Sequence, residues 1–539
     1  LGSSGGDTVT VPNVVGATRS SAESTIQNYG LEVGTVTQQS SNTVAAGRVI
    51  SQSPGAGNQV SLGTRVSLVI STGAQTPETT TVPDLRGKTQ SNAESDLFDA
   101  GLVLGNVTQA NSSTVPEGRV ISHTPAAGAS VQLGSAVNIV LSSGADAIRI
   151  DDISELQKIG NDPAYPINGN YELAGNISAS VTASWNGGLG FAPIGTTTKK
   201  FTGRFDGRGF TISGLTINRP SEDYVGLFGY VGENTRIENV SINGGTVTGD
   251  DYVGSLCGYA DGATINQSDT SASVAGDETV GCLVGFSKGL LDSCFSDGFT
   301  SGRTRVGGLV GKSMGAITNS SASGPTTGSS SYTGGLAGVN EDGTVVSCSN
   351  IGEVNSHSIA GGLIGWNDGT ISTCWTNCDV SAPYGDVGGL VGHNRGTITQ
   401  SLAEGDVQGG SFDVGGLVGE SVNGSINQSY ALGAVSGNKA VGGLVGDASR
   451  GTILHCYASG AVTASSIPGG LVGAGTPVAT SSFWDIQTSG ATESAGGEGL
   501  TTVQMKTRQN FKAAGWDFVS TWGINEGTSY PYLLWTTSL

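Results

Sequence analysis

Two kinds of hydrophobic pattern divide the chain. Before residue 145, apolar positions recur at helical spacing, first as Ala22, Ile26 and Tyr29 and again as Ala93, Leu97 and Ala100. Each set is followed by segments rich in Val, Ile and Leu, ending in Arg65 to Ser71 and Ala136 to Ser142. The expectation for each stretch is one helix plus strands. Ser20 with Glu23 and Ser91 with Glu94 have capping-box spacing, and Gly30 and Gly101 stand where a glycine would end each helix. From Tyr224 onward the apolar segments become too short for helices. A Val-Gly-Gly-Leu-Val-Gly motif alternates with Thr-Ile-x-x-[Ser/Cys], and Gly and Asn separate the two. That pattern predicts short strands joined by tight corners, with the paired glycines making the corners.

Both patterns repeat. The first region is an internal duplication at an offset of 71: Val11-Pro12-Asn13-Val14 matches Val82-Pro83-Asp84-Leu85, and Gly47-Arg48-Val49-Ile50-Ser51 matches Gly118-Arg119-Val120-Ile121-Ser122. In the second region ten leucines, from Leu227 and Leu256 to Leu444 and Leu471, are spaced by 29, 27 and 26 residues and then by 27 six times running. So strict a period marks a stacked solenoid, each repeat one turn with Leu, Val and Ile inside. Parallel crossovers of this kind favour right-handedness. The last 57 residues break the period and hold Trp484, Trp516, Trp522 and Trp535. They read as an aromatic cap on an otherwise open edge, with a sugar-stacking platform as the functional rival.

The duplicated stretch, with its V-P-x-[VL]-x-G opening, capped helix ending in Gly-Leu, G-x-V-I-S and proline turn, resembles the PASTA domain. Such domains hang from bacterial cell-wall kinases and penicillin-binding proteins, where some bind muropeptides and others act as spacers. The Gly-Gly-Leu-Val-Gly repeats, with Phe191 to Gly195, Phe201 to Gly207 and Ile212 to Leu215 before them and Phe483-Trp484-Asp485 after, resemble the GLUG motif of secreted bacterial proteins. The fold expected is mainly β: a right-handed parallel β-helix, a solenoid of ~27-residue turns, preceded by two small α+β PASTA-like domains. The expected division is an N-terminal tail at 1–10, PASTA-like domains at 11–73 and 82–144 with a linker at 74–81, the GLUG-type β-helix at 146–482 and the aromatic cap at 483–539.

Composition narrows the function. Net charge is −20, which disfavours nucleic acid, and no apolar run approaches the ~18 residues of a membrane helix. Glycine fills 89 of 539 positions without a Gly-X-Y period, so collagen is excluded. The chain starts at Leu1 without Met or an apolar leader, the start expected of a processed product or a fragment. Cys294, Cys348, Cys374 and Cys456 share a column with Ser268, Ser320, Ser401 and Ser429, which points to buried free thiols; a Cys348–Cys374 disulfide between neighbouring turns is the minority alternative. His123, His357, His393 and His455 show no triad spacing and read as surface or satisfied histidines. Asp386 and Asp413 stand in one column on adjacent turns, in a variable surface that also carries Arg305 and Ala440; a cation between them is the minor reading. Arg204, Asp206 and Arg208 read first as a turn. No catalytic residue, cofactor or metal site is expected.

The function expected from these features is a non-enzymatic, extracellular or cell-surface protein, structural or adhesive, whose partners are copies of itself, cell-wall or surface glycans. Nucleic acid and membrane insertion are not expected. In a head-to-tail fibre the joining strand would come from Leu1 to Thr10 or Tyr532 to Leu539, with Val9, Val11, Leu533 and Leu534 as its apolar residues. Trp484, Trp516, Trp522 and Trp535 are the candidate glycan contacts. A peptidoglycan- or glycan-binding module is the alternative, and a β-helix polysaccharide lyase or hydrolase using Asp386 or Asp413 the third reading.

Overall fold

Helix α1 (Arg19–Asn28) starts where Thr18, in extended conformation, turns its side chain to accept from the Ser21 amide, and α2 (Gln90–Asp99) starts in the same way at Thr89 with Asn92. The expected capping boxes at Ser20 and Ser91 are thus two residues out. Both serines already have helical neighbours on either side, and a cap needs the extended backbone found at the threonines. Gly30 and Gly101, each at φ 71°, end the helices as expected. The computed structural model describes residues 7–112, 114–466 and 468–538. It divides into two units, Leu1–Asp146 and Ala147–Leu539.

In the first unit each module packs its helix on a three-stranded sheet. Arg65–Ser71 runs between a parallel Glu32–Gln39 and an antiparallel Val49–Ser53, and Ala136–Ser142 between Val103–Ala110 and Val120–Thr124. The core of the first module maps onto the second at the same offset of 71. Val11, Ala22, Ile26, Val49, Val66 and Leu68 are buried, and so are Val82, Ala93, Leu97, Val120, Val137 and Ile139. Two segments do more than a tail and a linker would. Thr8–Thr10 pairs antiparallel with Gln59–Ser61, and Thr79–Thr81 with Ser130–Gln132. Three-residue strands are too short to leave a period in the sequence.

The second unit is a parallel β-solenoid. One sheet of 13 strands and one of 10 run along it, and a third of 26 takes more than one strand per turn. Turns stack in register: Ile371 lies beside Ile398, Ile398 beside Ile426 and Ile426 beside Ile453. The leucine column points inward and is fully buried from Leu227 to Leu471. Burial of each such side chain contributes about 1.5–3 kcal/mol.

Three devices hold the turns together. A Cβ on Gly388 would lie 2.0 Å from the Val391 carbonyl oxygen, and one on Gly389 would lie 2.2 Å from that of Gly416. The paired glycines therefore let backbones meet. The left-handed corners fall instead on Thr373 (51°), Gln400 (48°) and Asp413 (49°), which corrects the corner role expected of the glycines. Asn340 donates to Asn367 Oδ1 (2.7 Å) and Asn367 to Asn394 Oδ1 (2.8 Å), a fully buried amide ladder. In the Ser/Cys column, Ser401 Oγ accepts from the Cys374 amide (3.2 Å) and Ser429 Oγ from the Ser401 amide (3.2 Å). All seven cysteines are free and buried, and burial pushes thiols such as Cys294 and Cys456 up to about 12.

The C-terminal segment does not simply close the end. Trp484 joins the interior core at the last turn, beside Leu471 and Val472. Phe511, Trp516, Trp522 and Leu533 instead pack laterally over Leu402, Tyr430, Tyr457 and Phe483, which stack on successive turns. Trp535 Nε1 donates to the Gln400 carbonyl (3.1 Å), and Tyr457 Oη donates to that of Pro531 (2.6 Å). The segment is a strap laid back along several turns.

Candidate functional site

Residues 27 apart in the solenoid become neighbours on a face, so chemistry scattered through the sequence collects in columns. The position after Val-Gly holds Trp366, His393, Glu420 and Asp447 on successive turns. Asp386 and Asp413, each at the corner just before a Val-Gly-Gly strand, flank that column. The Trp366 ring lies 3.9 Å from the His393 ring at 10°, which fixes the imidazole plane. His393 Nδ1 then sits 2.9 Å from Asp386 Oδ2 and 3.1 Å from Glu420 Oε2. His393 is 7% exposed and Asp386 8%.

The electrostatics are those of crowded carboxylates. Burial, and next the charge of Asp386, push the Asp413 carboxyl up to about 7. The Glu420 carboxyl is raised by the same two causes in the same order. The arrangement offers an imidazole nitrogen and several carboxylate oxygens to one point, a donor set for protons or for a cation.

Asp386 and Asp413 do lie close, but Asp386 is buried rather than part of a variable solvent-facing surface, because His393 and Glu420 close over it. His393, expected as a surface or satisfied histidine, is a member of the cluster, and Glu420, Asp447 and Trp366 are not among the residues the sequence singles out. The signal was present: the three stand 27 and 54 residues from His393, in its own column. His123 is a satisfied core histidine. Its Nε2 accepts from the Leu85 amide as Gln52 Oε1 accepts from Val14 in the first module. Arg204 and Arg236 clamp the buried Glu238 from adjacent turns, a structural ion ladder.

Trp522 is 0% exposed, Trp516 4% and Trp484 7%, and Trp535 is partly buried in the strap. Rings so enclosed have no face to offer a sugar, so the glycan-stacking reading of Trp484, Trp516 and Trp522 is corrected by their packing. Val9 pairs with Val60 and Val11 is buried in its module, while Leu533 is buried opposite Trp522 and Leu534 enters a short 3-10 helix. The strands they were assigned to for assembly are thus engaged within the chain. Residues 1–6 of the first of these strands, and residue 539 of the second, lie outside the described residues.

With the geometry in place, the family models match the PASTA domain at residues 9–72 and 80–143 and the GLUG motif at 302–327 and 437–463. The chain carries two PASTA domains and a GLUG-motif solenoid. Halomucin of Haloquadratum walsbyi is 31% identical over 214 residues, 34% of this chain and 2% of that protein. The probable serine/threonine-protein kinase PknB of Corynebacterium glutamicum is 36% identical over 148 residues, 27% of this chain and 22% of the kinase. The chain thus spans only a small part of either relative. The solved extracellular region of the Ser/Thr kinase PrkC from Staphylococcus aureus is 28% identical, covering 27% of this chain and 50% of that one with a TM-score of 0.19. No helix among the described residues is long and apolar enough to cross a membrane.

Proposed function

We propose that this chain is a non-enzymatic structural or adhesive protein of a bacterial surface. In this reading its PASTA domains hold cell-wall peptidoglycan and its GLUG solenoid is the displayed rod. An extracellular or cell-surface location goes with both domain types. The observation that carries the reading is the pairing of two PASTA modules with a solenoid whose turns are joined strand to strand along its length. A stack of that kind is stiff, because each turn bonds to both neighbours, and stiffness suits display.

The test is co-sedimentation of the full chain with purified peptidoglycan, with soluble muropeptides as competitor. The expected outcome is a pelleted fraction that the competitor releases. A chain that stays in the supernatant at every wall concentration would remove the wall-binding role and leave the PASTA modules as spacers.

A further inference from the structure

We infer that Asp386, His393 and Glu420 form a binding site for one divalent transition-metal cation of the zinc class. Their ligand atoms all lie within 4.8 Å of one another. Both carboxylate oxygens sit at 2.9 and 3.1 Å from the same imidazole nitrogen. A zinc ion with bonds of about 2.0–2.2 Å spaces its ligands roughly 3–3.5 Å apart, so the observed separations resemble the edges of a coordination polyhedron.

The proton inventory argues independently for an ion. A ring nitrogen carries at most one hydrogen, so Nδ1 can give a well-formed hydrogen bond to only one of the two carboxylates, and drawing both oxygens in takes either a further proton shared between the carboxyls or a cation. His393 and Asp386 are both more than nine-tenths buried, where an uncompensated charge is costly, while Glu420 stays partly exposed. A cation where the three groups converge takes the nitrogen lone pair and both oxygens together. Asp413 and Asp447, on the following turns, add negative charge to the same face. The Trp366 ring stacked on His393 holds the ligand's orientation, as outer-shell contacts do at metal sites. Imidazole in the set favours zinc-class ions over Ca²⁺, which takes oxygen ligands. A second acidic group, Asp250, Asp251 and Asp277, lacks a histidine, and Arg303 neutralises Asp277 within the surface (2.7 Å).

The experiment is calorimetric titration of the chelator-stripped full chain with ZnCl₂, with CaCl₂ in parallel and metal content read by elemental analysis. One equivalent of Zn²⁺ that excess Ca²⁺ does not displace is expected. His393→Gln and Glu420→Gln should each weaken it by about 10-fold or more, while His357→Gln and Asp277→Asn leave it intact. Co²⁺ substitution should give ligand-field bands without thiolate charge transfer, separating this site from the buried cysteines. Absence of saturable Zn²⁺ binding in the unmutated chain would overturn the assignment. So would full-affinity binding in Glu420→Gln, a half-buried position whose substitution leaves the core untouched and which decides the matter if His393→Gln fails to fold.

Discussion

At the scale of a residue, a single methyl group is enough to separate the roles of two glycines. In Gly388→Ala the new Cβ meets the Val391 oxygen at 2.0 Å and the Gly419 amide nitrogen at 2.7 Å, both backbone atoms that stacking holds in place. Overpacking of this kind costs about 1–3 kcal/mol or more. Gly55→Ala meets nothing within 4 Å and should be neutral or stabilising by about 0.4–1 kcal/mol. Denaturant titration of each variant checks the pair. Asp261 supplies a pH dependence. It bonds Lys200 (2.9 Å) and Lys288 (3.0 Å), and the Lys200 bond foremost holds its carboxyl below the usual 3.8. A carboxyl depressed by folding contributes stability above its unfolded pKa and loses it as pH falls through the folded value. Asp261→Asn should therefore destabilise the solenoid at pH 7, with the gap to the unmutated chain closing below about pH 3.8. Equal gaps at both pH values would rule the linkage out. Residue chemistry was the least legible level in the sequence. Asp386 and Asp413 were found because they share a residue type, whereas Trp366, His393, Glu420 and Asp447 differ in type along one column and look unrelated until the turns are superposed.

At the scale of elements, the sequence showed which segments recur but not which faces need cover. Leu402, Tyr430, Tyr457 and Phe483 recur on successive turns, yet only the sheet reveals that they point outward, where bare apolar rings would meet water. That column explains the strap. Trp516, Trp522 and Trp535, which look like part of a terminal plug or a sugar platform, bury it, while Trp484 turns into the interior core. Trp522→Ala should cost about 3–5 kcal/mol, the range for a fully buried aromatic, and should expose the column to a hydrophobic dye. Unchanged stability would mean that the strap is not packed as described. The amide ladder makes a parallel case inside the fold. Asn367→Ala removes the bonds to Asn394 and Asn340 and strands buried polar groups, at about 1–3 kcal/mol. The helix starts were misplaced by two residues for a related reason: Thr and Ser both cap, and only the backbone conformation chooses between them.

At the scale of the whole molecule, periodicity carried most of the information. Ten leucines at near-constant spacing imply a stack, and the 71-residue offset implies twin modules, because both signals are long-range and self-consistent. Assembly is the property that periodicity left open. An open strand end invites strand addition, but Thr8–Thr10 is paired with Gln59–Ser61 and Tyr532–Leu533 with Trp522–Gly523. For either to join another chain, it would first have to leave its own, giving up ladder bonds and the burial of Val11 or Leu533. The 13 strands of one sheet, at about 4.8 Å per step, give a solenoid of roughly 58 Å. Electron microscopy and size-exclusion chromatography of the dilute chain should therefore find single particles with rods of about that length, not fibres. Deleting residues 1–10 would be a poor control, since it also strips the partner from Gln59–Ser61 and Val9 from its module. The informative truncation stops at Gly6. Fibres that form in the full chain and vanish on that shorter deletion would reverse the expectation and make the extreme N-terminus the joining strand.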